Sequence, residues 1–286
     1  MLDVPAELRS ERVPYPWHLT GPNAEDAYYA WCCKHQPKTR RIYIPIFWWN
    51  NSFWQSWNRQ QADYVAVPAV QEWIDTHLDP STKYYTVSNC DDGIYETLPD
   101  NVMVFSAGGT GHVPIPLLSD PHPPRDCTKD LLASFIGQLN PDRGGPGTQI
   151  RQAMSEVFRA RHDCIVEQTW SAKHASLEGF RDLMARSRFA LCPRGYGRTS
   201  YRFYEAFDFG AVPVYIFDQL WLPYAARIAW GDIAVLCHAK RLDELPARLD
   251  AISEDRRQQM VENARAVHEN YFTHEGRNRQ IARMVA

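Results

Sequence analysis

Short apolar, β-rich runs alternate with stretches of helical periodicity along the chain, and most runs are closed by Gly, Pro, Asn or Asp. Ile42 to Trp49 predicts a first buried strand, Tyr84 to Ser88 a second, Val102 to Ser106 a third and Ile115 to Leu118 a further short one. Asn23 is a good N-cap for a helix, and Val70 to Leu78 reads as a helix that stops at Asp79-Pro80. Residues 1 to 22, rich in Pro and lacking a period, predict an extended arm.

The stretch from Ser119 to Thr128 holds Pro121, Pro123 and Pro124 with no apolar period, which makes it the best linker in the chain. The boundary between a domain of residues 1–122 and a domain of residues 123–286 is therefore expected there. Beyond it the alternation restarts: strands over Asp130 to Gly137, Cys164 to Gln168, Phe189 to Cys192 and Val212 to Phe217, with helices over Gln149 to Arg161, Ser176 to Ala185 and Ser200 to Phe209. Strands alternating with helices argue for an α/β fold with parallel sheets and right-handed crossovers. From Ser253 to Ala286, Met260, Ala264, Val267 and Tyr271 at helical spacing predict one or two closing helices, expected to pack back on the N-terminal domain.

Composition narrows the function classes. A net charge of −3 gives no basic field and no Lys/Arg run stands out, so no nucleic-acid partner is expected. Seven cysteines, an odd number that includes the adjacent Cys32 and Cys33, match neither a zinc pattern nor a disulfide framework. They predict reduced thiols and a cytoplasmic or otherwise soluble, reducing location. Asp3, Glu7, Arg9 and Glu11 stand where a signal peptide would need its apolar centre, and no run approaches the ~20 apolar residues of a membrane span.

The candidate chemistry concentrates between Arg188 and Asp218. A buried strand leads into a turn with Pro193 and Gly195, then into a helix whose first residues include Thr199, Ser200 and Arg202. The N–H groups and dipole of a helix's first turn favour an anion, and Arg194, Arg198 or Arg202 could add charge-assisted hydrogen bonds. Glu205, three residues after Arg202, shares its side of the helix and could accept from a ribose diol; alternatively the two simply pair on a solvated face.

The run from Cys192 to Ile216, C-P-R-G-Y-G-R-T-S-Y-R-F-Y-E-A-F-D-F-G-A-V-P-V-Y-I, resembles the donor-site signature of exostosin-type glycosyltransferases, with C-P-x-G, S-x-R-x-x-E-A and G-x-V-P-V in order. Leu222-Pro223-Tyr224 and Ile228-x-Trp230 are similar to the family's L-P-F and I-x-W, while Leu131 to Gly137 followed by Arg151 resembles its L-x-F-x-G…R element. The resemblance covers roughly the second half of the chain. It implies a GT-B architecture, two Rossmann-like domains whose parallel sheets face a cleft, with an N-terminal acceptor-side domain and a C-terminal nucleotide-sugar donor domain. It further implies inverting transfer from a nucleoside-diphosphate sugar, a UDP-sugar being favoured, to a glycan hydroxyl, with no obligatory metal and no other cofactor. Arg202 and Arg151 would then contact the donor diphosphate and Glu205 the ribose, with Arg194, Gly195, Thr199 and Ser200 completing the donor site. Neither Golgi residence nor a particular acceptor carries over, because the N-terminal half is short and matches weakly.

Inverting transfer needs a base, expected from the N-terminal half. Asp91 and Asp92, in the polar loop after Tyr84 to Ser88, are the candidates, with His112 third; Asp-Asp-Gly could equally be a plain turn. Gly108, Gly109 and Gly111 could let backbone approach the donor or merely make a tight turn. Trp54 and Trp57 are the better candidates for stacking on an acceptor glycan, whereas Trp48 and Trp49 read as buried strand residues. Three rivals remain: a metal-dependent single-domain glycosyltransferase using Asp91-Asp92, a non-catalytic carbohydrate-binding protein, and a sugar-nucleotide epimerase.

Overall fold

The computed structural model describes residues 1–9, 21–51, 67–140, 147–169, 174 and 176–286. They divide into two compact units, one of Met1–Asp120 with Thr273–Ala286 and one of Pro121–Phe272.

The first unit is built on a four-stranded parallel sheet of order β1-β2-β3-β4: Ile42–Tyr43, Tyr84–Ser88, Val102–Ser106 and Val113–Pro114. All five residues of β2 are buried, as expected of a parallel strand covered on both faces. Helices α1 (Ala24–His35), α2 (Pro68–His77) and the C-terminal α8 (His274–Val285) belong to this unit. Ile44, Ile46, Trp48, Val70, Trp73, Ile74 and Val102 form its apolar core, each such side chain contributing about 1.5–3 kcal/mol by leaving water.

Two strand expectations fail here. The apolar run from Ile42 pairs only through Tyr43 before the chain leaves the sheet, and residues 48–51 are helical. Trp48 is buried all the same, with Nε1 donating to the Thr86 hydroxyl at 2.8 Å, so the indole is fixed by its polar handle rather than by a strand. Ile115 to Leu118 forms no strand; β4 ends at Pro114, and a second proline at 116 removes a ladder donor.

The second unit carries a five-stranded parallel sheet of order β6-β5-β7-β8-β9: β5 is Leu131–Gly137, β6 Cys164–Gln168, β7 Ser187–Pro193, β8 Val212–Phe217 and β9 Val235–His238. Helices α3 (Thr148–Phe158), α4 (Leu177–Arg186), α5 (Tyr201–Asp208), α6 (Leu245–Asp250) and α7 (Glu254–Tyr271) connect or follow the strands. Ser176 caps α4 and Ser253 caps α7 by accepting from the amides of Gly179 and Arg256. Gly210, at φ +59°, supplies the left-handed residue that ends α5 and turns the chain into β8. Phe135, Met154, Phe158, Phe189, Leu191, Val214 and Leu249 pack in its core.

The strand order has a consequence for ligands. After β6 the chain crosses β5 to lay down β7 on its other side, so the connections leaving β5 and β7 diverge. Open parallel sheets bind ligands outside the carboxyl ends of the strands at such a reversal.

Candidate functional site

Two arginines meet at that reversal. Arg202 is the second residue of α5 and donates from Nη2 to the carbonyl of Ile136, at the carboxyl end of β5. Arg151, in the first turn of α3, donates from Nε to the Arg194 carbonyl at 3.1 Å and from Nη1 to the Gln138 carbonyl at 3.4 Å. Both guanidinium groups lie over the ring of Phe135, Arg202 at 4.5 Å and Arg151 at 5.8 Å from its centroid, and Arg202 also faces Phe180 at 5.7 Å. An aromatic face attracts a cation by about 0.5–2 kcal/mol without neutralising it. Burial of the Arg202 guanidinium pulls its pKa below the usual value, and its Nε is buried without a hydrogen-bond partner. Such a group gains from an anion.

The turn after β7 is held rigidly. Arg194 is buried, donates to both carboxylate oxygens of Asp218 at 2.8 and 2.9 Å, and uses Nε and Nη2 on the carbonyls of Gly197 and Tyr196. Burial pushes the Asp218 carboxyl up, but these hydrogen bonds and the guanidinium charge outweigh it and hold the pKa below its usual range. All three Arg194 nitrogens are thus engaged inside the protein, so the side chain shapes the turn instead of reaching outward. The Gly195 amide donates to the Thr199 carbonyl at 2.9 Å, Thr199 is buried, and Ser200 caps α5 by backbone conformation with no side-chain capping bond.

Gly147, just before α3, lies so near this turn that a Cβ would sit 2.2 Å from the Gly195 oxygen and 2.6 Å from that of Arg194. Only a residue without a side chain lets the two backbones meet. Nothing in the sequence around Gly147 marks this role, because a close approach between segments so far apart in sequence leaves no local signal.

Glu205 faces a histidine. Its side chain is 11% exposed, and Oε1 lies 3.4 Å from Nε2 of His122, a residue the sequence assigned to a linker. His122 is itself buried, its amide donates to Asp208 Oδ2 at 2.9 Å, and its Nδ1 receives Nε of Arg181 at 3.3 Å. Burial raises the pKa of Asp208, against the opposing hydrogen bond from the His122 amide. A lone histidine among prolines carried no periodicity that could have marked it.

In the first unit, Asp91 and Asp92 follow β2 as expected. Asp91 is half-buried and its carbonyl accepts from the Thr110 hydroxyl at 3.1 Å; Asp92 is exposed and accepts from the Tyr95 hydroxyl at 3.0 Å. His112 has a different job. The Val104 amide donates to its Nδ1 at 2.9 Å, so the neutral ring carries its proton on Nε2, the wrong tautomer for a base acting through that nitrogen. A Cβ on Gly108 would fall 2.3 Å from the Cys90 oxygen, so the backbone this glycine admits is that of the Cys90–Asp91 loop. Trp54 and Trp57 lie outside the described residues.

Nothing in the sequence singles out Glu25, an acidic residue in the first turn of α1. It is fully buried, and Oε1 accepts from the amides of Asn89 at 2.9 Å and Trp49 at 3.1 Å. Burial and the neighbouring Asp26 charge raise its pKa to about 8 despite those hydrogen bonds and the charge of Arg277. Among the described residues no group of three or more His, Cys, Asp or Glu side chains is gathered as a metal would need, and no helix is long and apolar enough to cross a membrane.

Comparison with known proteins gives a family match over residues 51–252 to the exostosin GT47 domain. The probable β-1,4-xylosyltransferase IRX10 of Arabidopsis thaliana is 27% identical over 249 residues, covering 79% of this chain and 57% of the relative. A probable glucuronosyltransferase of Oryza sativa subsp. japonica is 39% identical over 232 residues, covering 73% of this chain and 51% of the relative. The chain therefore spans little more than half the length of these relatives. Among solved structures, WaaG, a glycosyltransferase involved in lipopolysaccharide biosynthesis, superposes with a TM-score of 0.41 at 14% identity, covering 100% of this chain and 89% of WaaG.

Proposed function

The chain belongs to the exostosin GT47 family, and from that premise we propose that it is an inverting, GT-B-type glycosyltransferase moving a sugar from a UDP-sugar to a glycan hydroxyl. The second unit holds the donor and the first supplies the base and the acceptor contacts. The observation that carries this reading is the pair of guanidinium groups on one phenylalanine ring at the strand-order reversal.

Arg202 and Arg151 grip the diphosphate and stabilise the charge that grows on it as the glycosidic bond breaks, since fixed donors need no reorganisation at that moment. Thr199 and Ser200 offer hydroxyl donors in the turn that Arg194 stiffens, Gly195 leaves the space beside Arg151 clear of a side chain, and Glu205 receives the ribose hydroxyls. The acceptor hydroxyl attacks the anomeric carbon from the face opposite the leaving group while Asp91 or Asp92 takes its proton, which inverts the configuration. Trp54 and Trp57 stack on the acceptor glycan. No step requires a metal ion.

Calorimetry with UDP tests the donor assignment. Arg202→Ala and Glu205→Ala should each weaken binding by roughly 10- to 100-fold, the scale of a hydrogen bond to a charged group, while thermal melting stays cooperative. Unchanged affinity for both UDP and GDP in the two variants would remove the assignment.

A further inference from the structure

Segment 119–128 reads in sequence as a plain linker, yet its His122 side chain is buried. The His122 ring packs against Phe209 at 5.1 Å and Phe180 at 5.8 Å between centroids, and 5% of its side chain is exposed. Its hydrogen bonds have a direction. Arg181 Nε can only donate, so at 3.3 Å it makes Nδ1 the acceptor and leaves the neutral ring's proton on Nε2. That nitrogen lies 3.4 Å from Glu205 Oε1 and donates to it. The His122 amide meanwhile donates to Asp208 Oδ2 at 2.9 Å, three residues further along α5, and anchors the backbone that carries the ring.

The chain of donors runs from Arg181 through His122 to Glu205 and ends on the carboxylate to which the donor ribose is assigned. We infer that His122 is a positioning residue, whose Nε2–H fixes the rotamer of Glu205 so that the carboxylate meets the ribose hydroxyls of a nucleoside diphosphate. The inference rests on the donor reading above and assigns a binding function to the interdomain-linker sequence. A carboxylate already anchored by His122 loses less rotamer freedom when the diol arrives.

The experiment compares UDP with 2′,3′-dideoxy-UDP by calorimetry on the full chain. Wild type should prefer UDP, because a site built to accept from hydroxyls loses those bonds when they are missing. His122→Phe keeps the ring packing and removes the donor; it should weaken UDP by about three- to tenfold and leave the dideoxy compound unchanged. His122→Gln, whose amide reaches the former Nε2 position, should restore most of the UDP affinity. In a Glu205→Ala background His122→Phe should have no further effect, the signature of two residues acting as one.

Equal weakening of both nucleotides by His122→Phe, or of neither, overturns the positioning role and leaves the ring as core filling. If Glu205→Ala abolishes the preference for UDP while His122→Phe preserves it, the donor reading stands and the inference alone falls. If wild type and Glu205→Ala alike fail to distinguish the two nucleotides, the ribose assignment itself is wrong and His122 loses its role with it.

Discussion

The loops at the carboxyl ends of the two sheets use the same backbone device for opposite chemistry. In each unit a glycine lets two loops touch backbone to backbone, Gly108 against Cys90–Asp91 in the first and Gly147 against Arg194–Gly195 in the second. What those loops then present differs. The second unit gathers guanidinium groups on aromatic faces and carbonyls, a surface that favours an anion, whereas the first buries the Glu25 carboxyl against the amides of Asn89 and Trp49 and carries Asp91 and Asp92 on the loop after β2. In the proposed reaction one region stabilises negative charge as it develops and the other takes up a proton. Shared architecture therefore says little about role; the side chains at equivalent edges decide it.

The largest expected effect separates the roles outright. Asp91→Asn and Asp92→Asn should split, one lowering kcat by about 10²- to 10⁴-fold and the other nearly silent, with UDP affinity intact in both. Steady-state kinetics with UDP binding in parallel would read this, and loss of nucleotide affinity in either variant would erase the division of labour. Next come the glycines. Gly147→Ala and Gly108→Ala should each lower stability by about 1–3 kcal/mol in urea titrations, because backbone must move to admit the Cβ. Only Gly147→Ala should also weaken UDP; the same loss from Gly108→Ala would show that the comparison is misdrawn.

A smaller effect is expected at His112. His112→Ala leaves the Val104 amide without its acceptor and should cost about 1 kcal/mol in the same titration, with an unaltered pH–rate profile. A profile that loses its acidic limb would return His112 to the list of bases. The subtlest test uses pH. Native Glu25 keeps its proton to about pH 8, whereas an unfolded glutamate ionises near ~4.3. Between these values the native chain binds more protons, so this component is complete below the unfolded pKa and disappears as pH rises through about 8. His274, whose pKa burial and Arg277 depress to about 4, acts in the opposite sense at lower pH and is retained in Glu25→Gln. Wild type should therefore lose stability relative to Glu25→Gln as pH rises from about 5 to about 8, and parallel curves would refute it.

Much of the second unit was legible because its strands are short, continuous apolar runs closed by strong breakers. Cys164 to Gln168 and Val212 to Phe217 fall where the sequence reading set them, and α5 begins after Ser200 as its N-cap. Val235–His238 escaped notice, since a four-residue strand at a sheet edge offers too few positions for a period to show. Ile42 to Trp49 misled for the reverse reason, as a buried apolar run is compatible with strand, coil or helix until its hydrogen-bond partners are known. At the candidate site, Arg151, Arg202 and Glu205 stand out in the sequence because they fall within ordered motifs. His122, Glu25 and Gly147 do not, because their significance lies in partners distant along the chain: Glu205, Asn89 and Gly195 respectively.

The first unit draws its residues from both sides of the second, and α8 seals it: Asn278 Nδ2 donates to the Ala27 carbonyl, the Arg40 amide to that of Val285, and the buried Arg277 reaches the carbonyl of Pro116. During synthesis this sheet must therefore wait, its helix-binding surface uncovered, until more than 150 further residues have left the ribosome, while the intervening unit can collapse on its own. Loss of the last turn of α8 would thus be felt first around Arg40, far earlier in the sequence.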